Sequence, residues 1–281
     1  MNNLFDTPKG NEEQTLCYKT VGERKIHLTF LPPAVKKYEK SPVYFIVPGG
    51  GWHMTSKESM LDFSKVSLEN LRKEGFCVVS IDYRVYSEEN VYMKDIISDC
   101  FDALRYIAHF ADVLEVNKND IVLAGHSAGG HLVLMLAYAP DSEFCEDSVL
   151  KEEFTVTAVA AMSPISVLYK KDMPKTLGFD PVGAFEEEDS EEERKRTSPL
   201  TYVSEKCPRT LLCAGTSDYL VYPNSSEILY DKLLENNVDA KLELSIGGGH
   251  VFEQIHKSFA QSKNLEDMQK LVTEFVMEKK S

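Results

Sequence analysis

Residues Asp120–Gly130 read DIVLAGHSAGG, and no other stretch narrows the fold as much. Asp120–Ala124 is a short apolar, β-branched run, as expected for a strand buried on both faces. Gly129–Ala139 is apolar throughout and reads as a helix behind it. Gly125-His126-Ser127-Ala128-Gly129 joins the two as a G-x-S-x-G pentapeptide, the sequence form of a tight strand–turn–helix elbow that holds a serine at the tip of a sheet. Residues around such a serine must be tiny, and Gly125 and Gly129 meet that need.

The rest of the chain repeats the same alternation. Val43–Val47 and Cys77–Ile81 are continuous apolar strands, and Lys25–Phe30 alternates with period two like a half-exposed antiparallel strand. Val156–Met162, Thr210–Ala214 and Lys241–Ile246 add three more. Helical spacing marks Glu58–Lys73, Met93–Phe110, Ser225–Asn236 and Glu266–Lys279. The expected class is α/β, with a mostly parallel central sheet flanked by helices. Residues 1–281 read as one domain with a small cap or lid insertion at about 165–201, where the alternation breaks. The first ~20 residues read as a loose arm or a cover for an edge strand.

Composition excludes several partners. Lys and Arg number 31 against 45 Asp and Glu, a net charge of −14, which disfavours nucleic acid and anionic membranes. Apolar runs fall well short of the ~20 residues of a membrane span. The N-terminus lacks the basic start and apolar core of a signal peptide. The six cysteines form no C-x-x-C and no zinc spacing, so a reduced, cytoplasmic setting with no metal is expected. Residues 186–196 carry seven acidic and three basic side chains. Acidic residues lead basic ones there, which suits the dipole of a short helix.

A serine hydroxyl needs a base, and the base needs an acid to orient it. His250 follows the strand Lys241–Ile246 and three glycines, where a loop histidine can swing over Ser127. His131, four residues beyond the serine, reads as a packed helix residue, and His256 falls in an apparently helical stretch. Asp218 lies just past the strand Thr210–Ala214, at the sheet edge where sites form. Asp239 reads as a turn residue, and Asp180 lies in the insertion. Ser127, Asp218 and His250 are therefore the candidate triad. Pro48-Gly49-Gly50-Gly51-Trp52 follows the strand Val43–Val47 and reads as a backbone-lined loop for a developing oxyanion. The Ala128 N–H would supply a further donor.

These motifs resemble the α/β-hydrolase superfamily, and within it the esterase/lipase group with an H-G-G-G oxyanion loop. The resemblance runs from about Val43 to the C-terminus. It includes Asp82-Tyr83-Arg84, Asp99-Cys100, Gly125–Gly130 and Ser198-Pro199-Leu200-Thr201, with Pro48 standing where the group has histidine. The resemblance implies an α/β-hydrolase fold and Gly50 and Gly51 as oxyanion donors. The activity expected is that of a serine carboxylic ester hydrolase without cofactors. Trp52, Met54, His126 and Tyr219 are expected to contact substrate, with Tyr83 and Tyr222 as weaker candidates. Asp82 and Arg84 read as a structural pair behind the site. The acidic insertion argues against a broad lipase lid, so small, short-acyl esters are expected. Carbohydrate acetyl or feruloyl esterases, arylformamidases and serine peptidases share this triad and fold, and a non-catalytic binding protein is the remaining alternative. A homodimer is left open.

Overall fold

The computed structural model describes residues 4–185, 189–258 and 260–278. Among these residues, eight strands form one sheet in the order β1-β2-β4-β3-β5-β6-β7-β8. They are β1 (Gln14–Val21), β2 (Arg24–Leu31), β3 (Ser41–Val47), β4 (Cys77–Ile81), β5 (Val116–His126), β6 (Val156–Met162), β7 (Arg209–Gly215) and β8 (Ala240–Ser245). β1 pairs antiparallel with β2, and β2 with β4; every other pairing is parallel. The N-terminal segment is thus neither a loose arm nor a cover: Gln14–Val21 is itself the edge strand.

Parity along the strands divides the core into two. Val43, Phe45, Val47, Leu123, Val159 and Ala161 face one apolar cluster, shared with α3 (Met93–His109), α4 (Ala128–Tyr138) and α6 (Asn224–Glu235). Tyr44, Ile46, Val122, Ala124, Ala158 and Ala160 face the other, shared with α1 (Lys57–Phe63), α2 (Lys65–Lys73) and α7 (Leu265–Met277). Successive strand side chains point to opposite faces, so continuous apolar strands demand helices on both.

Glu58–Lys73 departs from the single helix its spacing predicts. The helix breaks at Ser64, which ends α1 and begins α2. The cause lies far away in sequence. Gln269 of α7 accepts hydrogen bonds from the amides of Val66 (2.7 Å) and Ser67 (3.2 Å) and donates to the Phe63 carbonyl. An inserted side chain takes over the interrupted backbone ladder.

The segment predicted as an insertion contains short helical turns and α5 (Glu191–Arg196); Glu186–Glu188 of its acidic run lie outside the described residues. Ser190 caps α5 by accepting from the Glu193 amide (3.1 Å). Arg194 is fully buried and binds Asp189 (2.6 Å), Asp180 (2.8 Å) and the Leu168 carbonyl (3.3 Å). Its guanidinium also stacks on Phe185 at 4.5 Å. His256 is in no helix.

Candidate active site

The carboxyl ends of β3, β5, β6, β7 and β8 supply the site. Ser127 stands between β5 and α4 with φ 57° and ψ −122°, a conformation rarely held by a residue with a side chain. Its amide donates to the Met162 carbonyl of β6 (2.9 Å). The sharpness of the elbow explains the flanking glycines. A Cβ on Gly125 would lie 2.3 Å from the Gly129 carbonyl oxygen, and one on Gly129 would lie 2.1 Å from that of Val47.

Asp218 and His250 come together as the sequence order suggests. The His250 Nδ1–H donates to Asp218 Oδ2 at 2.7 Å. The other carboxylate oxygen, Oδ1, accepts from the Leu220 (2.9 Å) and Val221 (3.0 Å) amides. Asp218 is therefore held rigidly, with one oxygen committed to its own loop and one to the imidazole. Among the described residues Ser127 Oγ has no hydrogen-bond partner, so the serine–histidine bond is not formed in this state. In free hydrolases that contact often tightens only when substrate arrives.

The glycine loop lies against the serine. A Cβ on Gly49 would be 3.3 Å from Ser127 Cβ. Gly50 has φ +118° and turns the chain so that its carbonyl accepts from the His53 and Met54 amides (both 3.1 Å). Among the described residues no acceptor is bonded to the Gly50 or Gly51 amides. The Ala128 amide opens α4 and belongs to the helix-start donors that lack an intrahelical partner. Tyr83, fully buried, donates its hydroxyl to the Pro48 carbonyl (2.8 Å) and thereby ties the loop to β4.

Beside the loop a cleft of about 400 Å³ opens, walled by Pro48, Gly49, Gly50, residues 54–56, Ser59, Met60, Phe63 and His126. Met54 and His126 lie on the cleft wall. Trp52 does not. It is fully buried, and its indole N–H donates to His131 Nδ1 (3.1 Å). A large amphipathic ring next to a glycine loop signals a wall, but a partner for its N–H inside the core makes it a strut. Gly51 and Tyr219 are also absent from the cleft wall, and Tyr219 is 65% exposed beside Asp218. The sequence gives no sign that Thr55, Ser56, Ser59, Met60 and Phe63 wall the cleft: they lie on or just before α1, and nothing in a helical repeat says which end meets a distant loop.

The pairing expected between Asp82 and Arg84 is not found. Arg84 instead grips the fully buried Asp99 through Nε (2.8 Å) and Nη2 (2.9 Å). Asp82 accepts from the Lys57 amide at 2.9 Å and pairs with its ammonium at 3.2 Å. Each is already committed to an oppositely charged partner on a neighbouring helix, Arg84 to Asp99 of α3 and Asp82 to Lys57 of α1.

Two buried histidines complete the surroundings. His126 donates from Nε2 to the His250 carbonyl (2.8 Å), with its ring 4.5 Å from Phe63 and 4.7 Å from the His250 ring. His131 accepts from Trp52 and donates from Nε2 to the Thr197 carbonyl (2.7 Å). Burial pushes both imidazoles down to about 4, and the neighbouring His250 adds to the shift of His126. Both are neutral near pH 7, each with one donor and one acceptor nitrogen.

The sheet order and the strand–turn–helix elbow at Ser127 are those of an α/β-hydrolase. The profile of the BD-FAE family matches residues 29–233, and the chain belongs to that family. A probable isoprenylcysteine alpha-carbonyl methylesterase of Oryza sativa is 26% identical over 254 residues, covering 85% of this chain and 58% of that protein. Esterase LipU of Mycobacterium tuberculosis is 26% identical over 190 residues, 63% of this chain and 59% of that protein. The chain thus spans under two thirds of either relative's length. Among solved structures, butyrate-bound Est2, a thermophilic esterase of Thermogutta terrifontis, superposes with a TM-score of 0.76 at 24% identity, covering 96% of this chain and 94% of that one. No helix among the described residues is long and apolar enough to cross a membrane.

Proposed function

We propose that this protein is a serine carboxylic ester hydrolase acting on small, short-acyl, uncharged esters. The observation that carries the reading is the strained Ser127 elbow together with the 2.7 Å His250–Asp218 bond at the same sheet edge. Ser127 Oγ attacks the ester carbonyl and gives its proton to His250 Nε2. The Gly50, Gly51 and Ala128 amides stabilise the oxyanion, each at roughly 3–4 kcal/mol by analogy with deletions of such donors. His250 then protonates the departing alcohol, leaving an acyl–Ser127 ester. Water, deprotonated by His250, attacks that ester and releases the acid and Ser127.

The cleft supports the substrate class. Met54, Met60 and Phe63 make it largely apolar, and among the described residues no carboxylate or cationic side chain lines it. The relatives point the same way: Est2 has been captured with propionate and with butyrate. The residue 165–201 segment is proposed as a cap, and its acidic run would further disfavour anionic esters. A second reading, methyl-ester cleavage on a larger apolar substrate, is favoured by the name of the rice relative.

Ser127→Ala should lower kcat on p-nitrophenyl acetate by about 10⁴-fold or more, with the fold intact by circular dichroism. Unchanged turnover would refute the nucleophile. An acyl series from acetate to dodecanoate sorts the readings: kcat/KM peaking at four carbons or fewer supports the short-acyl class, and a peak beyond about eight overturns it.

A further inference from the structure

Resting on the esterase reading, we infer that His126 and Ser163 are positioning residues that together set the reach of His250 by gripping its main-chain carbonyl. The general base stands at the head of a long loop after β8, far from the nucleophile in sequence. Its imidazole is oriented by Asp218, but that bond fixes only one end of the ring. Its backbone is fixed separately. The His250 carbonyl accepts from His126 Nε2–H at 2.8 Å and from Ser163 Oγ–H at 3.0 Å. A carbonyl oxygen has two lone pairs, and both are used.

The two donors come from the strands that carry the nucleophile. His126 is the last residue of β5 and directly precedes Ser127. Ser163 directly follows β6, whose Met162 carbonyl holds the Ser127 amide. In the sheet register His126 lies opposite Met162. The serine and the histidine loop are thus referenced to the same two adjacent strand ends. Ser163 is 1% exposed and sits at φ +44°, an unfavourable angle for a non-glycine residue. Its amide is tied to the Cys213 carbonyl at 2.7 Å, which presses the residue into that conformation and aims its hydroxyl at the loop. Burial keeps His126 neutral, and the His250 carbonyl facing Nε2 places its one ring proton there as a donor.

Neither residue enters the chemistry, and Ser163 does not line the cleft, so the effect of changing Ser163 should fall on kcat and not on KM. Ser163→Gly discriminates between the roles. Glycine relaxes the positive φ, so a merely structural serine would be replaced with no loss of stability or activity. A lost grip predicts a melting temperature held or raised, kcat on p-nitrophenyl acetate down about tenfold, and KM within twofold. A second pair of variants guards against a folding defect. His126→Phe keeps a ring against Phe63 but cannot donate, whereas His126→Gln keeps an N–H near the former Nε2. The Gln variant should retain several-fold more kcat than the Phe variant. Wild-type kcat in Ser163→Gly, or equal kcat in the two His126 variants, would overturn the inference. A wild-type enzyme that neither cleaves the ester nor reacts with a fluorophosphonate at Ser127 would overturn the esterase reading itself, and the inference with it.

Discussion

The elbow and the segment that precedes β7 solve the problem of holding shape in opposite ways. Around Ser127 almost everything is backbone: a strained φ, glycines pressed to within van der Waals range of carbonyls, and main-chain bonds between strand ends. The described residues of 165–201 instead gather around one side chain, Arg194, whose guanidinium collects two carboxylates, a carbonyl and an aromatic face. Backbone contacts leave no rotamer to lose and fix the nucleophile within a narrow range, as catalysis demands. An ion-paired hub holds a segment through one side chain whose carboxylate partners reach solvent, and so fixes it more loosely than a backbone elbow does.

That contrast can be broken at several points. The largest effect is expected from Gly129→Ala, since its methyl would press on the Val47 carbonyl at 2.1 Å and neither backbone can retreat. A loss of about 3 kcal/mol in urea unfolding is expected, with activity falling alongside. A loss under about 0.5 kcal/mol would mean the elbow is softer than described.

His131 joins the two regions, with Trp52 of the glycine loop on one nitrogen and Thr197 at the end of α5 on the other. Its folded pKa of about 4 lies below the ordinary 6.5, so between these values the unfolded chain binds more protons. Stability is full above pH 6.5 and declines as pH falls towards 4, by about 3 kcal/mol for a shift of this size. His126 adds a decline of the same sign over the same window. His131→Gln should flatten the His131 share when melts are compared from pH 7 to 4. An unchanged slope would remove the proposed linkage.

Arg194→Met keeps the buried bulk and strands Asp189 and Asp180. A loss of about 2 kcal/mol is expected, below the usual figure for fully buried pairs because both carboxylates reach solvent. Ester turnover should change less than stability does; a collapse in kcat with the fold intact would show that the segment shapes the site directly. The smallest effect belongs to Ser190→Ala, which removes the cap of α5 and should cost about 1 kcal/mol by thermal melt.

Much of the architecture was legible because each signal was local. Apolar strands of the right length, the helix spacing of Met93–Phe110 and the glycines of the elbow report on neighbours a few residues away. Asp218 and His250 were legible for a related reason: both follow strands, and a parallel sheet delivers all its carboxyl ends to one edge. What could not be read depends on partners outside the local repeat, from 15 to 203 residues away. The break at Ser64 answers to Gln269, 203 residues beyond Val66. Trp52 turned inward because His131 offers its indole an acceptor, and Arg84 turned to Asp99 because that fully buried carboxylate takes its guanidinium while Lys57 takes Asp82.

The sequence by itself determined the layered α/β class, the strained serine turn and the order of the three candidate catalytic residues, since these follow from periodicity and steric need along the chain. Only the tertiary structure decided which polar side chains face the cleft and which serve as struts. That choice turns on whether a buried donor finds an acceptor, and the acceptors here come from other strands, helices and loops brought alongside by folding.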